Sequence, residues 1–291
     1  MRGKKMKQIL PDSDFKRGFT VLSQKEHDNN ERVTRLGDFT YGAADGDPAP
    51  VWKLAQWDSG PCMWKNRAES DKYTLTDGTS RSVVYNPSEA SLTMRIDTAA
   101  YYNGRAAVIG DYWPHLLIEQ GFPAVSVEDT LKVDLDLRLL DYSETPISGD
   151  YVRAAQFLMF LYLKGRENGE FVWFGLHFFD SRSAFSDTYI GYDVGKADAS
   201  KALIYSVGEK GIFGEQSLWK DGAPCANGEW RHLSIDMMPH LEALIAYGKK
   251  DNYFTAVKKP SDFTVCGLNI GWESIATFDH TMETKNLKIF A

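Results

Sequence analysis

Two glutamates and a small company of aromatic, histidine and asparagine side chains carry what chemistry this sequence offers. Glu273 closes the run FTVCGLNIGWE, and Glu119 lies near the end of HLLIEQ. Two carboxyl groups facing one bond divide acid and base work, provided that one of them stays protonated near neutral pH. Parity along an extended chain sets their neighbours. In the first run Phe263, Val265, Gly267, Asn269, Gly271 and Glu273 share one face. Thr264, Cys266, Leu268, Ile270 and Trp272 share the other, which is apolar enough to face a core. In EFVWFGLHFFD, Phe171, Trp173, Gly175, His177 and Phe179 share a face, and Val172, Phe174, Leu176 and Phe178 the opposite one. In DYWPHLLIEQ, Trp113, His115, Leu117 and Glu119 share parity if the chain passes Pro114 without a bulge. An aromatic–Gly–His face beside an Asn–Gly–Glu face suits a sugar: apolar ring faces stack on aromatics, and hydroxyls need Asn, Glu and His. Glycine there would let a flat ring approach the backbone.

The elements that must position these residues read as strands. SLTMRID alternates Leu92, Met94 and Ile96 with polar neighbours. LKVDLDLRLL alternates Leu131, Val133, Leu135, Leu137 and Leu139 with a solvated face holding Asp134 and Asp136. Period two is the mark of a half-buried antiparallel strand. AAQFLMFLYLK and EFVWFGLHFFD are joined by Gly165–Gly169, a hairpin loop. TYIGYDV and ALIYSV read as another pair, and WRHLSIDM, FTVCGLNIGWE and TKNLKIF complete the set. One helix is expected, over residues 236–250. Asp236 precedes it, Pro239 lies in its first turn, Leu241, Leu244 and Ile245 keep helical spacing, and lysines close it. Residues 1–35 read as an irregular lead-in with a short strand at Phe19–Leu22. Residues 36–66 read as a Trp-bearing loop (Trp52, Trp57, Trp64) with a turn at DGDPAP, and at least one of these rings is expected to line a groove. The fold class is therefore all-β: one antiparallel β-sandwich over residues 36–291 with a single late amphipathic helix.

Composition narrows the function classes. The chain has 291 residues, a net charge of −7 and 13% aromatic residues. An acidic chain is a poor partner for nucleic acid, which demands a cationic surface, and for an anionic membrane. No signal peptide or membrane span is read, which points to the cytoplasm. Cys62, Cys225 and Cys266 have no metal spacing and read as buried, reduced thiols. HExxH, GxSxG and P-loop motifs are lacking, so no cofactor is expected. Asp45-Gly-Asp47 is a fragment of a calcium loop and nothing more. His280, with Asp279 and Glu283, reads as a polar loop before the last strand rather than a metal cluster. Oligomeric state is not legible.

The order of the last eighty or so residues — a strand, one amphipathic helix, a strand ending Gly271-Trp272-Glu273, a short loop and a final strand — resembles the concanavalin A-like jelly rolls. That group includes retaining endoglucanases and xylanases, as well as sugar-binding sandwiches without catalysis. The resemblance implies a jelly roll and an oligosaccharide or glycan as ligand. It implies Glu273 as acid/base by its place before the final strand, with Glu119 as nucleophile or electrostatic partner. Trp57, Trp113, Trp173, His177 and Asn269 would shape the binding subsites. A structural calcium of the kind found in this class has no support in the residues. The alternative is a non-catalytic carbohydrate-binding sandwich using the same face.

Overall fold

A computed structural model describes residues 6–25, 33–42, 47–57, 62–102, 104–108, 110–149, 152–194 and 199–291. Asp45 and Gly46 of the expected turn, and with them the calcium-loop fragment, lie outside the described residues, as does the basic start over residues 1–5.

In chain order the strands are β1 (Phe19–Lys25), β2 (Arg35–Phe39), β3 (Trp52–Trp57), β4 (Asn66–Glu69), β5 (Tyr73–Thr76), β6 (Arg81–Asn86) and β7 (Ser91–Asp97). A short helix α1 (Thr98–Tyr102) leads to β8 (His115–Ser126), β9 (Lys132–Glu144), β10 (Ala154–Gly165), β11 (Phe171–Asp180), β12 (Tyr189–Tyr192) and β13 (Leu203–Val207). Helix α2 (Glu209–Phe213), the small ribbon β14 (Trp219–Lys220) and β15 (Ala223–Pro224), β16 (Arg231–Asp236), α3 (Met238–Lys250), β17 (Phe263–Ile275) and β18 (Phe278–Phe290) complete the chain. Two large sheets face one another. One has nine strands in the order β12-β13-β11-β10-β17-β8-β3-β1-β2, the other seven in the order β16-β9-β18-β7-β6-β5-β4.

The alternating sequences explain the layers. Val133, Leu135, Leu137 and Leu139 of β9 are buried between the sheets, while Asp134 and Asp136 stand on the outer face. There Asp136 accepts from His232 Nδ1 at 2.7 Å and from Asn286 Nδ2 at 2.6 Å. Phe157, Met159 and Leu161 of β10 and Leu268, Ile270 and Trp272 of β17 line the other side of the same core. Trp272 spans the gap: its indole N–H donates to the Met94 carbonyl of β7 at 3.0 Å, and its ring meets Phe157, Phe179 and His280. The hairpin at Gly165–Gly169 joins β10 to β11, and β12 pairs with β13. Helix α3 begins where the Asp236 carboxylate accepts from the Met238 backbone N–H at 3.0 Å, and it buries Leu241, Leu244 and Ile245.

Several expectations change. The short strand expected at Phe19–Leu22 is present as β1 and runs on to Lys25, but it does not stand apart in a lead-in: it lies inside the nine-stranded sheet, paired parallel with β3 and antiparallel with β2. Leu10 and Phe15 ahead of it are buried in the core. The Trp-bearing stretch is partly strand. Trp52 is wholly buried with its indole on the Asp12 carbonyl, and Trp64 carries Arg67 over its ring. The sheet is not purely antiparallel, because β1/β3 and β11/β13 run parallel. The three cysteines are free but half-buried. The polar loop expected at Asp279–Glu283 is strand β18, where His280 is fully buried against Ser274 Oγ at 2.8 Å and burial pushes its pKa down to about 3. Asp279 is bound by Arg95, and Glu283 by Arg138 and Ser91.

Because Trp272 joins both sheets, Trp272→Ala is expected to cost about 3–5 kcal/mol, as large aromatic truncations do. Trp272→Phe keeps most of the packing and removes the indole hydrogen bond to the Met94 carbonyl, a loss of about 0.5–1.5 kcal/mol. Urea unfolding at constant pH measures both: a Trp272→Phe variant as stable as the native protein would show that the hydrogen bond contributes nothing, and a Trp272→Ala variant as stable as Trp272→Phe would show the same of the ring.

Candidate functional site

The outer face of the nine-stranded sheet holds a cleft of about 700 Å³. Its floor is ordered in rows by the ladders of β8, β17, β10 and β11. Glu273 pairs with His115 on one side and with Gln156 on the other, and Gln156 pairs in turn with Asp180. That row runs His115, Glu273, Gln156, Asp180, and all four residues line the cleft. The next row holds Leu117, Gly271, Leu158 and His177. A third holds Glu119, Asn269, Phe160, Gly175 and Ser206.

Two irregularities decide which side chains reach the floor. Between Phe157 and Leu158 the pairing of β10 with β11 shifts: Phe157 faces Phe179, and Leu158 faces His177. Phe178 is the extra residue of a β-bulge. Alternation therefore breaks there, so that both Phe178 and Phe179 enter the core and Asp180 enters the cleft. A second shift near Cys266 puts Phe263 and Val265 in the core, although they share strict parity with Asn269 and Glu273.

Two of the glycines on this face are covered by the protein's own rings. A Cβ on Gly175 would lie 2.5 Å from ring atoms of Phe160, and one on Gly267 would lie 2.7 Å from the ring of Tyr162. At these two positions the rings occupy the space that the sequence suggests for a sugar, and they form a platform of their own; at Gly271 the nearest atoms are backbone atoms of Leu116 and Leu117. Trp173 packs edge-on against Phe160, Tyr162 and Phe171, and its indole N–H donates to Ser200 Oγ at 3.0 Å.

Electrostatics divides the polar row. Asp180 is buried, which alone would raise its pKa. Arg182 outweighs that through hydrogen bonds of 2.9 Å from Nε and 2.6 Å from Nη2, and holds the carboxyl below the ordinary range. Gln156 Nε2 donates to the same carboxylate at 3.2 Å. Burial lowers the pKa of His177, which the Asp180 charge only partly offsets, so the imidazole is neutral at pH 7. Its Nε2 is buried, 3.8 Å from Asp180 and without a hydrogen-bond partner. His115 Nε2 stands 3.5 Å from Glu273 Oε1, and the Trp57 ring leans over His115 at 6.1 Å.

Of the residues singled out from sequence, Glu273, Asn269, Trp57, Trp173 and His177 line this one cleft. Trp113 is half-buried against the core and is not among the lining residues. Glu119 stands opposite Asn269, four residues along β17 from Glu273. At about 3.3 Å per residue the two rows are roughly 13 Å apart, too far for two carboxyls to share one glycosidic oxygen. Glu119 instead faces Lys53 Nζ at 3.8 Å, and burial raises its pKa against that cation's pull. Sequence reading missed Gln156 and Phe160, whose polar–apolar alternation is hidden in an apolar run. It also missed Asp180 and Arg182, which the bulge brings round. Among the described residues no group of three or more His, Cys, Asp and Glu could hold a metal ion.

No protein-family model and no curated protein matches the chain. Solved structures with a similar course include a family 12 xyloglucanase from Bacillus licheniformis in complex with ligand. That chain is 8% identical at a TM-score of 0.43, with 78% of this chain and 97% of that one covered. The endoglucanase cel12A from Rhodothermus marinus is 10% identical at a TM-score of 0.35, covering 76% and 92%. A loop-swap mutant of Necallimastix patriciarum Xyn11A is 12% identical at 0.37, covering 77% and 94%. At such values the similarity carries no functional weight.

Behind the cleft wall, Glu209 is fully buried at the start of α2, beside Ser186 Oγ at 3.3 Å. Burial, with the charge of Asp180 added, raises its pKa to about 8. A carboxyl whose folded pKa exceeds its unfolded value binds its proton more tightly in the native state, so its contribution is full below pH 4.5 and falls away as pH rises to about 8. Glu209→Gln is therefore expected to leave stability unchanged near pH 4 and to raise Tm at pH 8.5 by at least about 2–4 °C, the shift that ~1 kcal/mol gives at this size. Thermal melts across that range check it, and an equal shift at both ends would deny the buried proton.

Proposed function

We propose that this protein is a carbohydrate-active, glycoside hydrolase-like β-sandwich that takes an oligosaccharide along its cleft and cleaves a glycosidic bond, with Glu273 as the acid. The observation that carries this reading is the polar row His115, Glu273, Gln156 and Asp180, set beside the ring platform of Phe160 and Trp173 in a single cleft. Rings and hydrogen-bonding groups side by side suit the two surfaces of a sugar. The platform is held stiffly by neighbouring rings, so little side-chain freedom is lost when a sugar stacks on it. His177 Nε2, buried and unsatisfied, offers a hydrogen bond to a hydroxyl, which can donate or accept to suit the tautomer. The cleft volume is within the usual range of small-molecule sites.

A second reading has one observation in its favour. The position directly across β10 from Glu273 is an amide, Gln156, which can hold a hydroxyl but cannot act as a carboxylate. Binding without cleavage would follow if no other carboxylate serves.

Calorimetry with a panel of uncharged β-linked glucan, xylan and mannan oligosaccharides separates these readings when each is also assayed for new reducing ends. The expected result is binding together with turnover. Trp173→Ala should weaken binding about tenfold, the loss of ~1.4 kcal/mol of stacking. Glu273→Gln should keep binding and lower kcat by about 10²–10⁴. Saturable binding with no new reducing ends would favour the second reading, and no binding by any glycan would remove both.

A further inference from the structure

We propose that Asp180 is the second carboxylate of the cleft and that the glycosidic bond is broken in one displacement, with inversion at the anomeric carbon. This rests on the hydrolytic reading of the site and goes beyond it by assigning the base and the stereochemical course.

The sheet itself supplies the ruler. Neighbouring strands lie about 4.8 Å apart, so side chains in one row stand at multiples of that spacing. A retaining pair needs carboxyl groups about 5–5.5 Å apart, and an inverting pair about 6.5–9.5 Å, to leave room for a water. In the same row, one strand away, about 4.8 Å, lies nearest the first, and two strands away, about 9.6 Å, lies at the upper limit of the second. One strand from Glu273 stand His115 on β8 and Gln156 on β10, and neither is a carboxylate. Two strands away, across Gln156, stands Asp180. A sugar lying over Gln156 would have Glu273 on one side and Asp180 on the other.

The division of labour follows from the surroundings. Arg182 keeps Asp180 ionised, as a base must be. Gln156 Nε2 is the longest of its donors at 3.2 Å, and a water held between Asp180 and the sugar would take that place. The water oxygen attacks the anomeric carbon as the bond to the leaving oxygen breaks. Asp180 receives the proton lost by the water, and Glu273 gives its proton to the leaving oxygen. Exchange of one proton each with solvent restores both groups. Gln156 cannot form a glycosyl ester, so no covalent intermediate interrupts the sequence.

The decisive measurement is proton NMR of wild-type protein cleaving an oligosaccharide that the panel has shown to be a substrate. The anomer formed first is expected to have inverted configuration, before mutarotation mixes the two. First appearance of the retained anomer overturns the assignment. Asp180→Asn, isosteric with the native residue, is expected to lower kcat by about 10²–10⁴ while Kd changes less than about threefold. Undiminished turnover in that variant also overturns it. Binding without turnover by the wild type rejects the one-step course and leaves the glycan-binding reading standing, whereas absence of binding rejects the parent reading. The NMR result stands by itself should Asp180→Asn fail to fold.

Discussion

The hydrogen-bond ladder that joins β17, β10 and β11 is the constraint from which the cleft follows. Backbone pairing sets Glu273 opposite Gln156 and Gln156 opposite Asp180 before any side chain is considered. Register can be held so firmly because the opposite face of the same strands is buried. Phe157 and Leu161 of β10, Ile270 and Trp272 of β17, and Phe174 and Leu176 of β11 each lose their burial if their own strand slips by one residue. The core therefore specifies the functional row at a distance, by paying the energetic penalty of every alternative register.

The outer face shows a second use of the same economy of space. Phe160 lies over Gly175 and Tyr162 over Gly267, where a side chain would collide with the rings. The glycines serve the protein's own aromatic side chains, which are laid flat against the sheet and locked by Trp173 and Phe171. A platform built in this way keeps its shape with the cleft empty. At the other end of the polar row, the Asp180–Arg182 pair contributes orientation and charge state more than stability, since half of it reaches solvent and is screened.

Much of the architecture was legible in the sequence because one face of most strands is buried and the other is not. The alternation of Val133, Leu135 and Leu137, the hairpin at Gly165–Gly169 and the helix around Leu241, Leu244 and Ile245 are direct readings of period and capping. Glu273, Asn269, Trp173, His177 and Trp57 were singled out from parity and residue type, and the structure places them in one cleft. What was not legible depends on pairing between distant segments. Glu119 has suitable chemistry, but only its partner on β17 reveals that it belongs to another row. Gln156 is a lone polar residue in an apolar run, with nothing local to say that it faces Glu273. Trp52 looked like a loop residue because the flanking turn signals outweighed a six-residue strand. Asp180 has core parity by simple counting, and its true direction is set by an irregularity that no local composition announces.

The bulge at Phe178 gives β11 slack at one point. Gln156 faces Asp180, Phe157 faces Phe179 and Leu158 faces His177, so the extra residue has no partner on β10. Removing Phe178 would leave each of those pairs as it is, with Phe179 still toward the core and Asp180 still in the polar row, and would lose one core ring and the local kink. The facing strand has no such slack: a residue lost from β10 between Gln156 and Phe160 would turn every side chain beyond it to the other face. Descendants of this chain can thus vary in length at that point of β11, but hardly at all across the ladder from it. Strand length is free on one side of the pair and an inherited quantity on the other.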